Sequence, residues 1–176
     1  MGSPEAIDGA KALAGLGERL DERDLPAFRE RLAAHVAASP RDGRAWAILG
    51  RVDLALDRHA DAAAAFANAI GASGKVASDP EIWVDYAEAV GMTEGGTLSG
   101  RAVPLIAKAL AIDPANARAL EMAGSLAAER GDPAGAARHW KLALGQLEAG
   151  DPRRDGLARA IASAERMALP GGMTKP

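Results

Sequence analysis

The residues that most often perform enzymatic chemistry are few in this chain and lie far apart in its sequence. Cysteine is absent, which excludes disulfides, thiolate metal sites and cysteine nucleophiles. The three histidines, His35, His59 and His139, fall on separate predicted helices or turns without the short spacing of a zinc site. No serine has a histidine nearby in the sequence that suggests activation as a nucleophile. We therefore expect a protein that is not an enzyme and that holds neither a metal ion nor a cofactor.

One glycine-rich segment has part of the spacing of a phosphate-binding loop. Residues Gly95 to Gly100 read GGTLSG, but a P-loop continues with Lys and then Ser or Thr, whereas Arg101 and Ala102 follow here. No strand is predicted before the segment. We interpret it as a loop between two helices, where glycine and serine are common.

Composition and charge favour closely packed helices and disfavour nucleic acid as a partner. Of the 176 residues, 48% are hydrophobic but only 3% are aromatic. Alanine supplies the difference, and it is both the best helix former and the smallest side chain that still packs. A β-sandwich and a large α/β enzyme are excluded on this basis. The formal net charge of −3 argues against the dense basic face that nucleic-acid binding needs, and no apolar run approaches the roughly 18 residues of a membrane span.

A repeated order of large and small residues organises most of the chain. In each repeat, a first helix carries a large residue followed four positions later by a small one, and a second helix carries a small residue followed by a large one. The large residues of the first helices lie at equal spacings of 37 residues. The matching sets are Trp46, Trp83 and Leu120; Gly50, Ala87 and Gly124; Ala62, Ala102 and Ala136; and Phe66, Ile106 and Trp140.

This order has a physical cause and resembles a known repeat. Two antiparallel helices approach closely only where one presents Gly or Ala and the other fills the gap with a bulky group. Each pair leaves an apolar face uncovered, so the pairs must stack. The pattern W-x2-L-G, then A-x3-F-x2-A, then P resembles the tetratricopeptide (TPR) repeat. It covers about residues 43–147 and implies an all-α TPR superhelix of three helix-pair repeats.

The segments outside the repeats are predicted to cap them. Residues 1–42 should hold N-terminal helices, with a half repeat at 25–38 and a weaker helix at 4–20. Residues 148–170 should form a C-terminal capping helix and 171–176 a frayed tail. Two insertions of three residues each, in GASGKVASDP and GMTEGGTLSG, are predicted to be loops. Asp53 replaces the usual aromatic residue and should weaken the packing of its helix.

The TPR resemblance also implies where a partner would bind. The first helices should line a groove with an apolar floor and charges of both signs, which suits an amphipathic helix. Arg44, Arg51 and Arg118 are expected to pair with acidic groups of that helix, although for any single residue a solvated helix face is an equal alternative. Ala47 and Arg51 stand where chaperone-binding TPR proteins have Lys and Asn, which disfavours capture of a chaperone's acidic tail. The candidate peptide-binding residues are Arg44, Ala47, Arg51, Leu54, Glu81, Val84, Glu88, Met92, Arg118, Glu121 and Ser125.

A narrower resemblance rests on GRAWAILGRV, DYAEAV, GTLSGRA with ALAIDPANARALEMAG, and RGDPAGAARHWKLAL. These segments are similar to the TPR domain of bacterial cytochrome c maturation proteins of the CcmI/CycH type and to the assembly factor NrfG. The specific pieces are the segment at Tyr86, the Gly-x-Leu-x-Gly loop at Gly96 to Gly100 and the pair His139-Trp140.

The narrower resemblance implies a periplasmic chaperone domain. Such a domain would hold apocytochrome c mainly by its C-terminal helix and pass it to the haem-ligation complex of the membrane. Contact with the membrane is expected only through helices absent from this chain. The alternative is a general TPR scaffold that joins partners in another complex.

Overall fold

A computed structural model describes residues 24–169, which contain nine helices and no strand. These residues form two compact units, 24–78 and 79–169. The predicted helix at 4–20 and the predicted tail at 171–176 lie outside the described residues.

The first unit holds the half repeat and the first full helix pair. Its core joins Phe28, Leu32 and Val36 of the first helix to Leu49 and Val52 of the second. These residues recur at helical spacing, so each helix buries one face. The helices are α1 (Leu25–Ala38), α2 (Gly43–Ala55), α3 (His59–Ala72) and α4 (Gly74–Ala77).

The second unit holds the other two pairs and a terminal helix. The terminal helix buries Leu157 and Ile161 in a cluster with Leu120 and Leu147, as expected for a helix that covers the last exposed apolar face of a repeat array. The helices are α5 (Pro80–Thr93), α6 (Val103–Ile112), α7 (Ala117–Glu129), α8 (Pro133–Gln146) and α9 (Arg154–Ala168).

Short polar residues and prolines fix where several helices begin. The side chains of Asp42, Asn116 and Asp132 each accept a hydrogen bond from the backbone N–H three residues further on. This contact satisfies one of the donors that a helix N-terminus leaves without a partner. Pro80 and Pro133 occupy the first positions of α5 and α8, where the missing N–H of proline costs nothing.

The predicted close approach of paired helices is confirmed at two glycines. A Cβ placed on Gly50 would lie 2.8 Å from the ring of Phe66, and one placed on Gly124 would overlap the indole of Trp140. In the second repeat, the small residue Ala102 is fully buried. The backbones of the paired helices can therefore approach closely, because one helix of each pair has no bulky side chain at the contact.

Asp53 does not loosen its helix as the sequence suggested. Its side chain is only 1% exposed and accepts a hydrogen bond from Nε of Arg29 on α1, and Nε of Arg58 lies 3.4 Å away. Burial raises the pKa of Asp53, although the hydrogen bond and charge of Arg29 act in the opposite direction. A buried ion pair thus joins α1 to α2 where other TPR repeats use an aromatic residue.

The first insertion also differs from the predicted loop. It contains α4, a single helical turn whose start is capped by the hydroxyl of Ser73 and whose Val76 is buried. The buried valine and the serine cap hold these four residues in a helical turn. A helix this short shows no hydrophobic periodicity, so the sequence did not indicate it. Within residues 24–169, no helix combines the length and the apolar character needed to cross a bilayer.

Candidate functional site

The first helices of the second and third repeats, α5 and α7, line an open cavity of about 250 Å³ in the second unit. We call this cavity and its rim the α5–α7 groove. Five of its six lining residues are among the candidate peptide-binding residues, and the sixth, Met122, was not predicted. The lining residues are Val84, Glu88, Arg118, Glu121, Met122 and Ser125.

The floor of the groove is apolar and firmly packed. Val84 is 1% exposed and packs with Ala109 of α6 and Ala119 of α7, and Met122 contacts the same cluster. Val84 is therefore a core residue that supports the floor, and it presents little surface to a partner. Met122 is half-buried, so it is the apolar lining residue that a partner could contact more fully.

Arg118 is held by three carboxylates of α5. Its Nη1 donates to Glu81 at 2.7 Å and to Asp85 at 2.8 Å, and its Nη2 donates to Glu88 at 3.0 Å. The three acidic residues share one helix face because they are spaced by four and three positions. Burial lowers the pKa of Arg118, but the hydrogen bonds and charges of Asp85 and Glu81 raise it well above its usual value. The guanidinium therefore stays charged, and its hydrogen bonds go to carboxylates of its own chain.

This arrangement changes the role expected for Arg118. The sequence predicted that it would pair with an acidic group of a partner, whereas the structure shows three carboxylates of the same unit in that place. Asp85, which is 5% exposed, was missed as part of the site. Its position between Glu81 and Glu88 on one acidic stripe was the available signal.

The opposite rim of the groove is fixed at Glu121. Nη1 of Arg153 donates to the Glu121 carboxylate at 3.0 Å, and Nη2 of the same arginine donates to Asp151 at 2.7 Å. The backbone carbonyl of Glu121 accepts from Oγ of Ser125 and from Nε1 of Trp140, each at 3.1 Å. These two hydrogen bonds hold the backbone of α7 at the residue that forms the rim.

The remaining candidate residues have different surroundings. Arg44, Ala47, Arg51 and Leu54 lie on α2 in the first unit. Ala47 is 6% exposed, so it offers little apolar surface as an anchor, while Arg44 and Arg51 are exposed. Met92 is 47% exposed near the end of α5 and is not part of the groove lining.

The Gly-x-Leu-x-Gly loop is tied to the end of α7. One oxygen of Glu129 accepts hydrogen bonds from Oγ1 of Thr97 at 2.9 Å, the N–H of Leu98 at 2.9 Å and Oγ of Ser99 at 2.8 Å. Gly95 and Gly96 have φ of 75° and 87°, a region that glycine enters without steric cost. The loop therefore holds a carboxylate of its own chain, which explains its composition without a phosphate ligand.

Between residues 24 and 169, no three His, Asp or Glu side chains are grouped so that they could hold a metal ion. The groove combines an apolar floor with hydrogen-bonded charges, which is an arrangement for binding.

Comparison with known proteins gives consistent results. A family model described as the cytochrome c-type biogenesis protein H TPR domain matches residues 9–154. The chain is 29% identical over 175 residues to the cytochrome c-type biogenesis protein CycH of Pseudomonas aeruginosa, covering 99% of this chain and 41% of that protein. It is 27% identical over 162 residues to CcmH of Escherichia coli, covering 92% of this chain and 45% of that protein. The chain thus spans less than half the length of these relatives.

A solved structure supports the same fold. The crystal structure of MamA matches with a TM-score of 0.63 at 14% sequence identity, covering 82% of this chain and 88% of that chain. At this identity the likeness concerns the fold alone. Together with the family match, it shows an all-α TPR protein.

Proposed function

Because this chain belongs to the cytochrome c-type biogenesis protein H TPR family, we propose that it is a client-binding module of c-type cytochrome assembly. It binds the C-terminal helix of an apocytochrome c and keeps the unfolded client available for haem ligation. The module acts in the periplasm and presents its client to the haem-ligation complex of the membrane. It contributes binding and no covalent chemistry.

The observation that supports this proposal most is the α5–α7 groove. Its floor of Val84 and Met122 is held from behind by α6 and α7, so the cavity is preformed and needs little ordering when a ligand enters. A preformed site costs less conformational entropy on binding than one that must first be ordered. An amphipathic helix would insert one apolar anchor here while its polar flanks remain near the charged rim.

A client helix is a suitable ligand for physical reasons as well. The C-terminal helix of an unfolded cytochrome has lost the core against which it packs, so its apolar face is exposed to water. Burial of that face in a groove recovers part of the hydrophobic free energy, at about 25 cal/mol per Å² of apolar surface. The client therefore binds before its own core forms and leaves when that core competes for the same face.

The test is a calorimetric titration with peptides from a c-type cytochrome. A peptide of the C-terminal helix should bind, whereas a peptide of the N-terminal helix and a scrambled C-terminal peptide should bind much more weakly. Equal affinity for the three peptides would indicate a non-selective apolar surface. No binding of the C-terminal peptide would defeat the proposal and favour a general scaffold that joins other partners.

A further inference from the structure

The two rims of the α5–α7 groove both carry a carboxylate. Glu88 on α5 has a side chain that is 50% exposed, and Glu121 on α7 has one that is 28% exposed. Both residues line the cavity above the apolar floor formed by Val84 and Met122. A side chain that enters the groove therefore meets apolar surface at the floor and negative charge on either side.

The arginines beside the groove are already neutralised from within the unit. Arg118 donates to Glu81, Asp85 and Glu88, and Arg153 donates to Glu121 and Asp151. An incoming carboxylate would be repelled by the carboxylates that already surround each guanidinium. An incoming cation would add attraction to Glu88 and Glu121 without breaking any contact.

We propose that the groove selects helices with a long cationic side chain, lysine or arginine, next to the apolar anchor. Its aliphatic stem lies along Met122, and its charged head reaches the carboxylates of Glu88 and Glu121. Long cationic side chains suit such a site because they bury the stem while the head stays in a polar environment. This inference rests on the proposed function, since it names the chemistry of the helix that the same groove binds.

The charge of the groove reverses the expectation drawn from the sequence. Counting arginines at groove positions suggested an acidic partner, but the guanidinium of Arg118 contacts three carboxylates of its own unit. Arg118 and Arg153 carry two positive charges, whereas the five carboxylates that they contact carry five negative charges. The rim therefore keeps a net negative charge, so the proposed partner is basic.

The experiment uses three peptides with one common apolar face, taken from the C-terminal helix of a c-type cytochrome. They differ only at the positions that flank the apolar anchor, which are all Lys, all Gln or all Glu. Each peptide is titrated calorimetrically against wild-type protein and the variants Glu88→Gln, Glu121→Gln and Glu148→Gln. Glu148→Gln is the matched control, because it removes the same charge at an exposed residue that does not line the groove.

The Lys peptide should bind most tightly and the Glu peptide most weakly. Glu88→Gln and Glu121→Gln should each weaken the Lys peptide about two- to fivefold, as expected for one exposed ion pair, and should strengthen the Glu peptide. Glu148→Gln should leave the order and the affinities unchanged. Added salt should reduce the difference between the Lys and Glu peptides, because exposed charges are screened.

The outcomes separate the two proposals. If all three peptides fail to bind, the proposed function fails. If they bind equally, or if the Glu peptide binds most tightly, the groove binds helices but the inferred preference for cationic side chains is wrong. Circular dichroism of the variants shows whether each is folded, and the Gln side chain can still accept the hydrogen bond from its arginine.

Discussion

Trp140 contacts Gly124 across the third helix pair and, through its indole N–H, also holds the backbone carbonyl of Glu121. One side chain thus closes the α7–α8 contact and fixes the rim of the α5–α7 groove. The packing of the repeat and the geometry of the candidate site therefore depend on the same residue.

Replacement of Gly124 by alanine should destabilise the protein. Alanine is normally better than glycine inside a helix by about 1 kcal/mol, but here the added methyl group overlaps the indole of Trp140. Overpacking of this kind costs about 1–3 kcal/mol, and the hydrogen bond to Glu121 restricts movement of the ring. Urea denaturation should show a lower free energy of unfolding for Gly124→Ala.

The matched control is Gly145→Ala on α8, where an added Cβ meets no atom within 4 Å. This variant should be as stable as the wild type or more stable, by up to about 1 kcal/mol. Equal stability of the two variants would show that the contact between α7 and α8 does not require glycine at position 124.

The contact between Arg118 and Asp85 should be energetically coupled. Loss of Arg118 removes a cation that helps to compensate the burial of Asp85, which is 5% exposed. A double-mutant cycle of Arg118→Gln and Asp85→Asn should give a coupling of about 1 kcal/mol. This is in the lower part of the range for groups in contact, because the Arg118 side chain is 37% exposed and partly screened.

Arg138→Gln is the control variant for this double-mutant cycle. The guanidinium of Arg138 lies 3.8 Å from Asp132, and its side chain is 70% exposed. Its removal should change the free energy of unfolding by no more than about 0.5 kcal/mol. Additive effects of Arg118→Gln and Asp85→Asn would show that the ion pair contributes nothing beyond its separate groups.

Restoring the aromatic residue of the TPR pattern should not stabilise the first unit. In Asp53→Phe the carboxylate that binds Arg29 is lost, and Arg29, whose side chain is 18% exposed, keeps its charge near the helix contact. Removing one partner of a fully buried pair costs about 3–5 kcal/mol, and we expect a smaller loss here because Glu30 and Asp61 still contact Arg29. Thermal unfolding followed by circular dichroism should show a lower midpoint than in Asp57→Asn, a change at a side chain that is 94% exposed. A higher midpoint for Asp53→Phe would mean that aromatic packing outweighs the ion pair.

The hydrogen bonds that Glu129 accepts from the Gly-x-Leu-x-Gly loop, which we call the loop clamp, should add a pH-dependent contribution to stability. Burial raises the pKa of Glu129, but the hydrogen bonds from Ser99, Thr97 and Leu98 lower it more, so the folded value lies below the ordinary 4.5. Between the lowered pKa of folded Glu129 and its ordinary value, the unfolded chain binds more protons than the folded chain. The free energy of unfolding therefore rises with pH. The contribution is complete above about pH 4.5 and is lost as the pH falls through the lowered folded value.

Thermal midpoints of the wild type and Glu129→Gln test this dependence. The wild type should melt at a higher temperature at neutral pH, and the difference should shrink as the pH falls below the ordinary pKa of a glutamate. Glu148→Gln should show no such pattern. If the difference between the two thermal midpoints is constant with pH, stabilisation by the loop clamp does not depend on the ionisation of Glu129.

Periodic features of the fold could be predicted from the sequence, whereas contacts between distant residues could not. The stripe of Phe28, Leu32 and Val36 predicted a helix at 25–38, and α1 has these bounds. The pairing of Arg29 with Asp53 joins residues on different helices, and no periodicity encodes it. The short helix α4 was missed for the same reason, since four residues are too few to show a period.

The candidate site was predicted in part. The TPR resemblance placed Glu88, Arg118 and Glu121 in a groove, and in the structure all three line one cavity. The sequence could not show which charges neutralise one another, since that depends on how the face of α5 aligns with that of α7. The availability of Arg118 was therefore overestimated, and Asp85 was missed although it lies on the same acidic stripe as Glu81 and Glu88.

If the client helix binds in the α5–α7 groove, a variant that fills this groove should bind it poorly. Ser125→Phe places a large side chain in the cavity, while Ala158→Phe places the same side chain on an exposed position of α9. Each variant is titrated calorimetrically with the C-terminal helix peptide of a c-type cytochrome. The wild type and Ala158→Phe should bind the peptide tightly, and folded Ser125→Phe should lose at least tenfold in affinity, about 1.4 kcal/mol. Unchanged affinity of Ser125→Phe would contradict binding of the client helix in this groove.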